Sequence, residues 1–117
     1  MTWVAACIVR SDGSWLVARI DEGPILRGLW LPPLAALAQG DDPAAVAHRL
    51  VPRTMGPPEV GPPVRHHITH RRIDVVPCRF EFESGDAKPA AWRWVNPDHP
   101  GVPTSSLLEK LVRAVSD

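Results

Sequence analysis

The sequence predicts a single α/β domain in which a mixed β-sheet is packed between helices. Short strand-like segments rich in apolar and β-branched residues come first, a helix-like segment follows, and further strands lead to a final helix. The chain has 117 residues, close to the common size of one domain, with no break in composition. We therefore assign residues 1–117 to one domain.

The N-terminal part predicts a β-hairpin. Residues 3–10 and 15–20 are strand-like, and the polar stretch 11–14 between them is typical of a turn. A short apolar segment at 29–31 comes next, and residues 34–39 are compatible with either a helical turn or coil.

Two segments predict helices. The Asp-Pro pair at 42–43 is a helix-start signature, because aspartate accepts free amides and proline needs no partner for its missing N–H. It predicts a helix over residues 43–51 that Pro52 ends. Near the C-terminus, Ser106 and Glu109 have the spacing of a capping box, and the apolar residues that follow recur at helical intervals.

The later strands are predicted by alternation. Apolar and polar residues alternate from 76 to 82, which indicates a strand with one buried face. Pro77 cannot donate to a neighbouring strand and therefore predicts a sheet edge or a bulge. A last short strand is predicted over residues 91–95. Cys7 and Cys78 lie in apolar strand-like segments, as expected of buried free thiols.

The charge balance argues against a binding surface spread over the whole molecule. Thirteen basic and thirteen acidic residues give a formal net charge of zero at pH 7, so the chain as a whole does not attract nucleic acid or an anionic membrane. Any anion binding must be local. Because the start lacks a basic leader and no apolar run approaches the roughly 20 residues of a membrane span, we expect a cytoplasmic protein without a membrane partner.

One local concentration of positive charge lies between residues 65 and 72. This stretch has no acidic residue and contains Arg65, His66, His67, His70, Arg71 and Arg72. Such a segment suits contacts with phosphates, which weaken as salt rises. A solvated strand with counter-charges from Asp74, Glu81 or Glu83 would show the same pattern, so composition alone leaves both interpretations open.

Three segments, taken together in order and spacing, resemble the C-terminal domain of MutY-type adenine DNA glycosylases. They are Gly-Leu-Trp-Leu-Pro-Pro at 28–33, Ile-Thr-His at 68–70, and Trp-Val at 94–95 followed by Pro-Thr-Ser at 103–105. The resemblance covers nearly the whole chain and implies a Nudix fold, a mixed sheet between helices. The first segment also resembles a turn of Nudix hydrolases, so it supports the fold more than the function.

The resemblance also implies where a Nudix hydrolase would hold Mg²⁺. In those enzymes several glutamates on a loop and helix bind the ion, which prefers hard oxygen ligands. With Gly56 as the closing glycine of that motif, Arg49 occupies its arginine position, and Leu50, Arg53 and Thr54 stand where glutamates belong. No acidic residue occurs between Asp42 and Glu59, so a shifted alignment restores none. The sequence therefore predicts a domain that is not itself catalytic and holds no metal.

The family's function is recognition of 8-oxoguanine in duplex DNA, with the glycosidic chemistry in a separate helical domain. Oxidation turns the N7 acceptor of guanine into an N–H donor, and a hydroxyl can accept from that N–H. Thr69 takes the position of the family's serine, whereas Ile68 replaces its usual aromatic residue. The resemblance implies that Ile68, Thr69 and His70 contact the lesion. Arg65, Arg71 and Arg72 are expected to contact the DNA backbone, and Arg19 and Trp30 are expected to line a pocket.

Other functions stay open at this point. A divergent Nudix hydrolase acting on an oxidised nucleoside triphosphate would need Mg²⁺ and carboxylates from elsewhere, for which Asp21, Glu22 and Glu81 are candidates. A third alternative is a protein-interaction module with no nucleotide ligand. The histidines of the basic stretch do not predict zinc, because neighbouring strand residues point to opposite faces and no ligand spacing is present.

Overall fold

The computed structural model describes residues 1–53, 55–83 and 86–115. Within them the elements are β1 Thr2–Val9, β2 Trp15–Arg19, β3 Trp30–Leu31, β4 Leu34–Ala36, α1 Pro43–His48, β5 Glu59–Val60, β6 Val64–Ile68, β7 Arg71–Glu81, β8 Arg93–Val95 and α2 Ser106–Val115. The strands form one mixed sheet whose main order is β3-β2-β1-β7-β5. The predicted fold class is confirmed.

Strands β1 and β7 form the centre of the sheet. They pair in parallel over eight residue pairs, from Thr2 opposite Asp74 to Val9 opposite Glu81. The predicted N-terminal hairpin is present, since β2 pairs antiparallel with β1 at Val9 and Trp15. Because β1 lies inside the sheet and is covered on both faces, its residues are nearly all apolar rather than alternating.

The two faces of the sheet bury separate apolar clusters. On one face, α2 packs its leucines 107, 108 and 111 against alternate β1 residues that include Ala5 and Cys7. On the other face, α1 packs Val46 and Ala47 against Val4, Ala6 and Ile8. Cys7 and Cys78 are buried free thiols, as predicted, and burial raises the pKa of Cys78 to about 11.

Helix α1 is shorter than the sequence predicts. Asp42 caps it through an N–H bond from Ala44 at 3.3 Å, as expected, but the helix ends at His48. Beyond it the chain continues in tight i→i−3 turns to Val51, which is a common way to satisfy the last carbonyls of a helix. Because the residue before a proline avoids the helical region, Pro52 stops the helical turns from continuing past Val51.

Residues 34–36 form strand β4, so neither a helical turn nor coil describes them. They pair with Trp3, Val4 and Ala5 at the beginning of β1, where β2 no longer accompanies it. A three-residue strand carries too little periodicity to be recognised from sequence, and it forms here because β1 has free backbone groups to pair.

Pro77 lies in the interior strand β7, at the position where that strand changes partners. Strand β6 pairs with β7 up to Val75, and β5 pairs with it from Cys78. Between them, the Pro77 carbonyl accepts a 2.8 Å bond from the Gly61 N–H. The prediction that no neighbour needs the Pro77 amide fits this partner change. Residues 61–63 lie opposite Val76 and Pro77, so the pairing shifts by one residue there, as expected at a bulge.

The cap of α2 lies one residue earlier than predicted. Ser105, not Ser106, accepts the Leu107 N–H through Oγ at 3.1 Å, and its carbonyl accepts from Leu108. Glu109 is therefore one residue too far along the helix for a capping box, and it pairs with Arg113 at 3.8 Å. Within the described residues, no helix has the length and apolar character needed to cross a membrane.

This arrangement gives a stability prediction. Ser105→Ala is expected to lower the free energy of unfolding by about 1 kcal/mol, because it removes the hydroxyl that caps α2. Ser106→Ala removes an exposed hydroxyl from the first turn and should change the free energy of unfolding by less than about 0.5 kcal/mol. Urea unfolding of both variants measures the difference, and a larger loss in Ser106→Ala would show that the cap is misassigned.

Candidate functional site

The residues expected to contact a lesion lie at the tip of the β6–β7 hairpin. The antiparallel register runs from Val64 opposite Val75 to Ile68 opposite Arg71, which leaves a two-residue turn of Thr69 and His70. Both turn residues are exposed, and Ile68 is half-buried against the α2-side core. The structure therefore brings Ile68, Thr69 and His70 together as a projecting tip.

Thr69 has an unusual backbone conformation, with φ at +49°. Two-residue hairpin turns often require a positive φ, and Gly, Asn or Asp normally fill such positions. A β-branched residue there is a genuine outlier, because its side chain crowds the backbone. The hairpin thus holds a threonine hydroxyl on the surface at a cost in backbone strain, and strain of this kind tends to occur at functional sites.

The three candidate backbone-binding arginines do not share one face. Arg65 pairs with Asp74 across the hairpin, with the Nε and Oδ1 atoms 3.4 Å apart. Since adjacent strand residues point to opposite faces, Arg72 lies on the Asp74 face, and Arg71 lies on the α2 face with Ile73. Arg71 and Arg72 are exposed and make no ion pair within the described part of the chain.

His66 is not part of the exposed basic surface that the sequence suggests. It is only 5% exposed, and its Nδ1 lies 3.2 Å from Nζ of Lys110 on α2. Burial lowers the pKa of His66 below its ordinary value, and the nearby Lys110 and His67 lower it further. His66 is therefore a neutral, inward-facing residue and is not part of the exposed positive charge.

A separate cavity of about 260 Å³ lies beside β2, on the α2 side of the sheet. Its walls are largely apolar, with Leu31 and Leu34 among them, and Arg19, Asp21 and Glu22 also line it. Arg19 is ion-paired with Asp21 at 3.4 Å. Arg19 thus lines this cavity, and its contact with a ligand there stays a prediction. Trp30, its cross-strand neighbour, is not among the lining residues.

Trp30 instead lies against other partners. Its backbone N–H donates to the Pro103 carbonyl at 2.8 Å, and the Arg93 guanidinium lies 5.6 Å from the centre of its ring. These contacts join β3 to β8 and to the segment that precedes α2. The structure therefore supports a packing role for Trp30 rather than the pocket role expected from its sequence context.

Trp3, on strand β1, is a further residue of the cavity beside β2. It lines the cavity, and its indole N–H is buried with no hydrogen-bond partner in the described residues. A buried indole N–H usually finds a partner, so an unpaired one at a cavity wall is available to an acceptor on a ligand. No feature of the sequence distinguishes this tryptophan from the others on strands.

The residues at the expected metal motif do not fit Mg²⁺. Arg49 is the C-cap of α1, and Leu50 and Arg53 follow the helix rather than project from it. Thr54 lies outside the described residues. Among those described, no three His, Cys, Asp or Glu side chains converge in a way that could hold a metal ion. A hard divalent cation needs several oxygen ligands, and this segment supplies an aliphatic and a cationic side chain in their place.

The alternative carboxylates are not brought together. Asp21 and Glu22 line the cavity beside β2, whereas Glu81 lines a polar cavity of about 330 Å³ that also contains Glu59, Glu83 and Asp86. Within the second cavity, Glu81 accepts a 2.8 Å bond from Arg79, and Asp86 accepts one from the Glu83 backbone N–H. The three candidates therefore do not form one site.

Comparison with known proteins defines the family. The eight-stranded mixed sheet with a helix on each face is the architecture of a Nudix domain, and the sequence matches the NUDIX domain over residues 4–114. The chain belongs to the NUDIX family. No curated protein sequence matches it.

Several solved structures share the fold. The C-terminal domain of mouse MUTYH, determined in complex with human PCNA, has a TM-score of 0.71 at 15% identity, over 97% of this chain and 85% of that one. A MutT protein from Methanosarcina mazei Go1 has a TM-score of 0.70 at 16% identity, over 100% and 96%. A MutT NUDIX hydrolase from Burkholderia pseudomallei has a TM-score of 0.68 at 19% identity, over 98% and 97%. At these identities the likeness shows the fold alone.

The strain at Thr69 is directly measurable. The left-handed conformation costs a residue with a Cβ roughly 1–2 kcal/mol, so Thr69→Gly is expected to be more stable than Thr69→Ala by about 1 kcal/mol. His70 is not in that region, and there the order should reverse, with His70→Gly less stable than His70→Ala. Equilibrium unfolding of the four variants tests this, and an equal or reversed pair at position 69 would contradict the strained turn.

Proposed function

We propose that this NUDIX-family domain recognises 8-oxoguanine in duplex DNA without catalysing a reaction. The observation that carries the proposal is Thr69, whose hydroxyl stands on a strained, exposed hairpin tip next to two exposed arginines. A strained conformation persists only where the surrounding structure holds it in place, and a short hairpin projects its turn far enough to meet a groove.

The hydroxyl suits the chemistry of the lesion. Guanine presents an acceptor at N7, whereas 8-oxoguanine presents an N–H donor there, and a threonine Oγ1 can accept from that N–H. Ile68, half-buried at the base of the turn, gives an apolar surface that packs against a base step. His70 is exposed beside Thr69 and can contact the lesion or a neighbouring phosphate.

The ion pairs indicate which of the arginines would contact the DNA backbone most strongly. Asp74 partly neutralises Arg65, so Arg71 and Arg72 are the stronger phosphate contacts. The chain has no net charge, so affinity depends on this short segment and should be modest. A helical glycosylase domain, as in MutY-type proteins, would supply both further contacts and the base-removing chemistry. A place among cytoplasmic DNA-repair proteins fits this function.

Lesion preference is tested at the hydroxyl. Thr69→Ala should reduce the preference for a duplex with 8-oxoguanine over the same duplex with guanine by about five- to tenfold, the value of one hydrogen bond. Thr69→Ser retains the hydroxyl and should keep most of the preference. Fluorescence anisotropy with matched labelled duplexes at low salt measures both affinities. Equal affinity of the unaltered domain for the two duplexes would contradict the proposal.

The arginines should behave differently from Thr69. Arg71→Ala or Arg72→Ala is expected to weaken both duplexes equally and to make the salt dependence of log K shallower by about 1. Arg53→Ala removes one positive charge from the segment after α1 and serves as the matched charge control. If Arg53→Ala weakens binding as much as the hairpin variants, the contact is not at the hairpin.

A second candidate function uses the cavity beside β2. The MutT proteins among the structural neighbours, together with the unpaired Trp3 indole N–H, favour binding of a free oxidised nucleotide there. Hydrolysis in the manner of MutT proteins requires a metal site that the described residues do not form. The cavity therefore supports a nucleotide-binding alternative more strongly than a hydrolytic one.

A binding domain and a hydrolase make opposite predictions for turnover. We expect no Mg²⁺-dependent release of phosphate or pyrophosphate from 8-oxo-dGTP or dGTP, because Leu50 and Arg53 stand at glutamate positions. Product analysis by anion-exchange chromatography after incubation with Mg²⁺ or Mn²⁺ tests this. Turnover that Glu81→Gln or Glu22→Gln abolishes would establish the hydrolase instead.

A further inference from the structure

The contact between His66 and Lys110 joins the hairpin to helix α2. His66 is the one polar side chain buried in the described part of the chain. Lys110 reaches it across 44 residues of sequence, with Nζ 3.2 Å from His66 Nδ1 and 3.1 Å from the Arg65 carbonyl oxygen. An ammonium group can only donate, so Nδ1 must accept, and this requires a neutral imidazole with its proton on Nε2.

We propose that His66 and Lys110 form a pH-sensitive latch, in which neutral His66 holds the Lys110 side chain of α2 against β6 and protonated His66 releases that side chain. Protonation of His66 fills the Nδ1 lone pair and places two cations about 3 Å apart in a partly buried site. Lys110 must then leave, and the Arg65 carbonyl loses its side-chain donor with it. These distances alone indicate the latch, and only the DNA-binding experiment below also depends on the proposed function.

The groups around His66 favour release of Lys110, because they do not offset the positive charge of a protonated imidazole. Lys110 on α2 and His67 on β6 both disfavour a charged imidazole. On β7 the register partner is the apolar Ile73, and Arg71, two residues away, shares its face. The nearby carboxylates of Asp74 and Glu109 are paired with Arg65 and Arg113, and neither is paired with His66 within the described residues.

The direction of the pH effect follows from these surroundings. Burial, with the two neighbouring bases, holds the pKa of His66 below its ordinary value of 6.5, so the unfolded chain takes up the proton first. The latch therefore contributes its full stability above about pH 6.5 and loses it as the pH falls below that value.

Thermal unfolding between pH 7.5 and 5.5 tests the latch. His66→Gln keeps a neutral acceptor for Lys110 but does not titrate, so its Tm should fall less over this range than that of the unaltered protein, by roughly 3–5 °C. His99→Gln removes an exposed histidine and should leave the pH dependence unchanged. Equal pH dependence in the unaltered protein and His66→Gln would overturn the proposal.

A second measurement needs no variant of His66. Long-range ¹H–¹⁵N NMR of the unaltered protein should show one histidine in the Nε2–H tautomer at pH 7, and Lys110→Met should raise the pKa of that histidine. A charged His66 at pH 7, an Nδ1–H tautomer, or a pKa that Lys110→Met leaves unchanged would each contradict the latch.

Duplex binding separates the latch from the proposed function. Acidification also changes DNA binding through charges elsewhere in the protein, so the informative quantity is the difference between the unaltered protein and His66→Gln. Release of Lys110 is expected to reduce lesion preference below pH 6 in the unaltered protein only. A latch confirmed by Tm and NMR in a domain without lesion preference would remove the proposed function and leave the latch intact.

Discussion

The parallel ladder between β1 and β7 is the constraint on which the other parts depend. These strands are adjacent in the sheet but about seventy residues apart in sequence, so the intervening chain must pass over one face before it returns. Helix α1 lies in that crossover and covers one apolar cluster, and α2 covers the other. The ladder begins four residues after the β6–β7 turn, so it also anchors the hairpin that presents Thr69.

The sequence predicts most of the elements because their signals are local. The N-terminal hairpin, the start of α1 and the amphipathic α2 each depend on residues within one turn or two strands. Strand β4 was not predictable, since it exists through pairing with β1, thirty residues earlier. The cap of α2 was misplaced by one residue because a run of hydroxyl side chains at 104–106 offers three equivalent candidates.

For the site, the sequence identifies residue types but not their surroundings. It identified Thr69 and His70 as lesion contacts within a basic stretch, and the structure puts both at an exposed tip. It could not show that His66 is buried, because the residue that faces it is Lys110 on a distant helix. The unpaired donor of Trp3 was equally hidden, since a missing partner is a property of tertiary packing.

Pro77 divides β7 into two parts that pair with different strands on their outer side. Before it, residues 71–75 are bonded to β6 on their outer side, and after it the strand is bonded to β5. At Pro77 itself the strand lacks the donor that would join the two ladders laterally. Residues 71–73 precede the β1–β7 ladder and, in the described part of the chain, pair with β6 alone, so the tip that carries Thr69 can open locally while that ladder stays formed.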